Sequence, residues 1–170
     1  GIKIVDGDLY AFSNTIRDAQ YAVHAYDNAT NLLRFNNFHN NFVSFYIAPT
    51  GGILNNIGAI NSNDFATISP LVSGYLGQSP PINAAGFAGI IVNDVGYFYV
   101  GHSNTNVQKN VFRNLNCGIL SYNTNFHSEN NLFNNIVEQG VVPAYAGLTA
   151  GTVFNHIGTG VFCGGTMGNI

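Results

Sequence analysis

The chain has 170 residues, only 8% of them charged, and a formal net charge of -3 at pH 7. Its five basic residues cannot build the basic stripe that a nucleic-acid surface needs, and no apolar run reaches the roughly 18 residues of a membrane-spanning helix. The length suits one domain with its own core, and two cysteines leave the redox compartment open.

From the start, Gly1 to Asp8 forms a candidate entry strand. Asp6 and Asp8 alternate on it, and Asp6 precedes Asp27 by 21 residues, so Asp6, Asp8 and Asp27 form a candidate calcium site with oxygen ligands. The plainer reading makes Asp6-Gly7-Asp8 and Asp27-Asn28 ordinary turns. Two similar blocks follow, Ile16-Arg17-Asp18-Ala19 and Phe38-His39-Asn40-Asn41, each leading into a strand-like run, Tyr21-Ala22-Val23 and Val43-Ser44-Phe45-Tyr46-Ile47. Residues 49–85 contain Pro49, Pro70, Pro80 and Pro81 and are expected to leave the regular structure as an irregular loop insertion, because proline cannot donate to a strand ladder. Loops on a rigid scaffold often carry recognition, which makes Tyr75 a candidate ligand contact.

The second half is more regular. Ile91, Phe112, Phe133 and Phe154 recur every 21 residues, followed two places later by Asn93, Asn114, Asn135 and His156. A second apolar run completes each block, and Gly118, Gly140 and Gly160 precede three of these runs. Two-helix repeats need roughly 33 residues or more, and the leucine-rich pattern is missing. Phe, Ile and Val suit pleated strands, whereas abundant Gly and Asn suit tight corners. The fold expected is all-β, a right-handed parallel β-helix with about 21 residues per coil. Like residues would then stack, Phe on Phe inside and Asn on Asn at a corner.

Few groups are available for chemistry. On the 21-residue grid Asp94 and Glu138 gain no carboxylate neighbour, and Glu129 falls at a solvated corner. His24, His39, His102, His127 and His156 lack zinc-ligand spacing, and no serine has a nucleophile-elbow context. No catalytic residue and no cofactor other than the candidate calcium is expected. Cys117 and Cys163, about two coils apart, are expected to stay unbridged. Tyr97 and Tyr99 flank Phe98, so an inward Phe98 turns both tyrosines outward as a candidate sugar-stacking pair. Ile170 is not preceded by a capping element, so further coils are expected beyond it.

The segments Ile16–Ala25, Phe38–Ile47 and Gly77–Pro81 with Phe87-Ala88-Gly89-Ile90 resemble the right-handed β-helix regions of large bacterial surface proteins exported by the type IX pathway. The pectate-lyase-like superfamily shares that fold, but its catalytic Arg and Asp constellations have no match here. The resemblance implies an extracellular or cell-surface setting and a long parent chain. The expected function is a non-catalytic scaffold or adhesin segment whose partner is a glycan, a protein or adjoining coils. The alternative is part of a polysaccharide lyase or glycoside hydrolase.

Overall fold

The computed structural model describes residues 1–27, 30–49, 54–55, 59–71, 85–104, 106–124, 126–136, 153–155 and 161–164, with backbone alone at 54–55, 126, 153–155 and 161–164. Among these residues every regular element is a strand and every strand pairing is parallel. No helix there is long and apolar enough to cross a membrane.

The strands fall into three rows. The first holds β1 (Ile2–Val5), β4 (Tyr21–Tyr26), β7 (Val43–Ala48), β11 (Gly86–Asn93) and the second half of β13 (Asn110–Tyr122). The second holds β2 (Asp8–Phe12), β5 (Thr30–Arg34), β9 (Ala59–Asn61), β12 (Val95–Gly101) and β14 (Phe126–Glu129), with β8 (Leu54–Asn55) also on β12. The third holds β3 (Thr15–Arg17), β6 (Asn37–His39), β10 (Asp64–Ala66), the first half of β13, β15 (Asn131–Ile136) and β16 (Val153–Asn155). β17 (Val161–Gly164) pairs with the second half of β13. Because β13 runs unbroken through two rows, these merge into one 11-stranded sheet with a solenoid-like curl, facing a 6-stranded sheet.

Short polar side chains make the corners. Asp6, Asp18, Asp27, Asn40, Asp94, Asn114, Asn123, Asn130 and Asn135 all adopt positive φ, between 47° and 57°. This left-handed region costs Asn and Asp less than other non-glycine residues. The corner backbone remains in the ladder: Asp6 N donates to Tyr26 O at 3.0 Å, Asp18 N to His39 O at 3.2 Å, and Asp94 N to Tyr122 O at 3.0 Å.

Inside, Ile16, Phe38, Phe65, Phe112 and Phe133 stand in register on row three, and the Phe154 backbone continues the column. Ring centroids lie 5.0, 4.7 and 4.8 Å apart from Phe38 through Phe133, with planes within 11° of parallel. Those separations follow the strand spacing of about 4.8 Å. Ile91 does not belong to this column: it pairs with Leu120 and Tyr46 on row one, and Asn93 pairs with Tyr122 rather than joining Asn114. The 21-residue step is therefore local. Pairs of aligned asparagines are separated by 22, 27, 47 and 21 residues in turn, because connections of different length intervene before the strands return to register.

Residues 49–85 also differ from expectation. They contain β8, β9 and β10, which deliver Ile60 and Phe65 to the core, so this stretch is not wholly an excursion. The prolines lie outside those strands, Pro49 before them and Pro70 after; Pro80 and Pro81, Gly140, Gly160 and His156 lie outside the described residues.

The dominant amide ladder lies at the corner entering row three. Asn14 Nδ2 donates to Asn36 Oδ1 at 3.1 Å, Asn36 to Asn63 at 3.0 Å, Asn63 to Asn110 at 3.1 Å, and Asn110 to Asn131 at 2.8 Å. The backbone N of Asn14, Asn36 and Asn63 also donates to the next Oδ1, each at 3.0 Å. The second Nδ2 hydrogen of the buried rungs binds carbonyls of preceding strands, including Ala11, Leu33, Ile60 and Val100. The expected corner ladder survives only as a short, exposed piece, with Asn135 Nδ2 donating to Asn114 Oδ1 at 2.8 Å and Asn114 Nδ2 to Thr67 O at 3.0 Å.

Cys117 is buried, and Cys163 aligns with Ser121 on the adjacent strand. The expected two-coil separation is thus wrong. An offset of four residues along the strands, about 13 Å, combined with the strand spacing of about 4.8 Å, still places the two backbones about 14 Å apart, past the roughly 7 Å limit for a bridge.

Candidate functional site

The outer face of row two carries an exposed tyrosine beside a cluster of half-buried aromatic and polar groups. Strand alternation on β12 sends Phe98 into the core and leaves Tyr97 46% exposed. Parallel pairing sets Tyr99 beside His127 and Gly101 beside Glu129. The Tyr99 and His127 rings lie 5.0 Å apart between centroids. Tyr99 Oη donates to Glu129 Oε2 at 3.0 Å, and His127 Nε2 lies 3.1 Å from the same oxygen. The carboxylate oxygen can only accept here, which assigns the His127 proton to Nε2.

Burial, followed by the hydrogen bond to Glu129 and that group's negative charge, pushes the Tyr99 phenol well above its usual range. A backbone N–H from Ser103 partly offsets this. Tyr99 is thus held as a neutral donor and is poorly suited to act as a base. Gly101 fixes the close approach that makes the cluster: its φ is +120°, and a Cβ there would overlap the Glu129 carbonyl. The expectation of a solvated Glu129 corner is corrected by these two hydrogen bonds. Tyr97 and Tyr99 do flank an inward Phe98, but Tyr99 is only half-exposed. Tyr75 lies outside the described residues.

A second cluster sits on row three. Arg113 grips Asp64 with two donors, Nε to Oδ1 at 3.0 Å and Nη2 to Oδ2 at 2.6 Å, while His39 Nε2 lies 3.0 Å from Oδ2. Burial raises the Asp64 pKa, but hydrogen bonds from Arg113 and His39 and their positive charge outweigh it, leaving the carboxyl below its ordinary value. The pair in turn raises the Arg113 pKa, chiefly through the Asp64 hydrogen bond. Sequence spacing concealed this site. His39, Ala66 and Arg113 form one register column, and Asp64 lies two residues before Ala66 on the same face.

The calcium candidates separate between two rows. Asp6 and Asp27 occupy matching corners after the paired residues Val5 and Tyr26, with φ of 55° and 52°. Asp8 lies past the Asp6-Gly7 turn and pairs with Thr30 on row two. Among the described residues, no three His, Cys, Asp or Glu side chains converge as a metal site. No protein-family model matches the chain, and neither curated proteins nor solved structures provide a match.

Proposed function

We propose that this chain is a segment of a right-handed parallel β-helix that serves outside the cell, or on its surface, as a non-catalytic scaffold or adhesin. The partner is a glycan or protein held against row two, and adjoining coils of a longer parent extend the scaffold. The observation that carries this reading is the exposed Tyr97 ring next to the Tyr99, His127 and Glu129 cluster. An aromatic face offers a sugar ring an apolar platform, and neighbouring fixed polar groups orient its hydroxyls. The parallel rows, polar left-handed corners and stacked Phe and Asn columns support the β-helical part. Export by the type IX pathway remains part of this proposal through the repeat resemblance alone.

The partly buried acids favour a scaffold over hydrolysis by paired carboxylates. Asp64 is engaged by Arg113 and His39 on row three, while Glu129 accepts from Tyr99 and His127 on row two. Binding to a glycan panel, compared between the wild type and Tyr97→Ala, tests the reading. A roughly 2- to 10-fold loss for the variant is expected from loss of one aromatic stacking contact. Unchanged binding by Tyr97→Ala would refute the site. New reducing or unsaturated ends after incubation with polysaccharide and calcium would instead support the lyase or hydrolase alternative.

A further inference from the structure

We infer that the corner between rows two and three carries a protein-docking site built on Phe12, Arg34 and Phe35, and that its occupant is a partner segment presenting an Asp or Glu beside an apolar side chain. Ser13, Phe35 and Ser62 hold matching corner positions after the register column Phe12, Arg34 and Asn61, with φ of 55°, 57° and 60°. Left-handed backbone is tolerated best by Gly, Asn and Asp, and it strains a bulky aromatic residue. Phe35 nevertheless occupies it and is 53% exposed, while Phe12 on the adjacent strand is 47% exposed. The core does not use either ring. Backbone strain retained at an exposed apolar residue points to a use beyond folding.

Adjoining both phenylalanines is a cation with no counter-ion. Arg34 stands in register with Phe12 on one side and Asn61 on the other. Among the described residues its side chain makes no ion pair, and its buried Nε lacks an acceptor. Asn61, only 2% exposed, also leaves Nδ2 without an acceptor. Strand alternation puts both side chains on the outer face, on strands about 4.8 Å apart. Two buried donors left unmet carry a desolvation cost, which a carboxylate brought against them relieves. Arg113 has its carboxylate in Asp64; Arg34 has none in this chain's described residues.

The composition of the patch selects the occupant. Arginine among aromatic rings is the make-up of protein-interface hot spots, where the rings cover an apolar side chain and keep water from the ion pair. A second copy of this chain is a poor fit, because a symmetric contact through the patch would set Arg34 against Arg34. Phenylalanine also lacks the polar handle with which Tyr97 and Tyr99 can address sugar hydroxyls. Arg34 ends β5, which has β2 paired on one edge and β9 on the other, so the patch lies on a paired strand and not at an open sheet edge. It is two strands and four residues from Tyr97, roughly 16 Å, and does not depend on the preceding proposal.

Panning a random peptide library against the 170-residue chain, followed by fluorescence anisotropy of the enriched peptides, tests the inference. Enriched sequences are expected to carry Asp or Glu within a few positions of an aromatic or aliphatic residue, and to bind more weakly as salt rises. Arg34→Gln should weaken them at least about tenfold. Phe35→Asn should do the same while raising the urea midpoint, because Asn suits left-handed backbone better than Phe. Tyr97→Ala should leave binding unchanged. No enrichment, enriched peptides without an acid, indifference to the Arg34 and Phe35 variants, or a loss with Tyr97→Ala would overturn the inference. So would a lower midpoint for Phe35→Asn, which would make the ring structural. Dimers in sedimentation that Phe35→Asn abolishes would overturn it in favour of a second copy as occupant.

Discussion

Asn63→Ala tests what holds the interior corner together. Asn63 Oδ1 accepts from both N and Nδ2 of Asn36 at 3.0 Å, and its Nδ2 donates to Leu33 O at 2.8 Å and Asn110 Oδ1 at 3.1 Å. Asn36 Nδ2 retains Ala11 O at 2.9 Å, and Asn110 Oδ1 retains the Asn63 backbone donor at 3.0 Å. The main losses are therefore the acceptor for Asn36 N and a donor to Leu33 O. At roughly 1–3 kcal/mol for each buried group left short, the substitution should cost about 2–6 kcal/mol. That is a large share of a domain stability of roughly 5–15 kcal/mol. Asn14→Ala removes a rung with an exposed side and should cost about 1 kcal/mol. In urea unfolding, with a slope of roughly 1–3 kcal/mol per molar, the central variant should lose at least about 0.7 M in midpoint. Asn63→Asp should not rescue it, since a carboxylate cannot donate to Leu33 O or Asn110 Oδ1. An Asn63→Ala cost no larger than that of Asn14→Ala would refute the ladder argument.

The aromatic column, the acid-sensitive pair and the Tyr99 phenol give further tests. Phe112→Ala should cost about 3–5 kcal/mol by chemical denaturation, because it opens a gap between two stacked rings. Gly89→Ala should cost about 1–3 kcal/mol in the same measurement, because its Cβ would approach Phe112 Cδ1 to 2.6 Å. Asp64 has a folded pKa below its ordinary 3.8, so its contribution is present above that value and is lost as pH falls through the depressed folded value. Asp64→Asn should remove this part of acid unfolding in a pH series of urea midpoints. Tyr99 keeps its proton in the folded chain above the ordinary 10.0 of the unfolded phenol, so stability should fall as pH rises past that point. Tyr99→Phe should lessen this alkaline loss, measured as the difference between midpoints near pH 9 and pH 11.

Local chemistry was legible where short-range patterning sufficed. Alternation placed Phe98 inward and Tyr97 outward, while the 21-residue step correctly paired Phe112 with Phe133 and Asn114 with Asn135. It failed at Ile91, because β11 joins the second half of β13 instead of the first. The same limitation hid Asp64 and much of the Asn63 ladder. Their partners lie across intervals of 49 and 47 residues, and a connection can change length without changing the register of the strands it joins. Residues 59–66 were obscured for a different reason: their short strands stand between proline-containing connections.

By itself, the sequence determined the β character, the polar corners and the tendency of like residues to stack, since these follow from side-chain shape and backbone preference over a few residues. Only the tertiary structure decided which strands became neighbours. It brought Glu129 to Tyr99, Asp64 to Arg113 and Lys3 opposite His24. Parallel register is settled by long-range backbone pairing, whose distances in space need not follow distances along the chain.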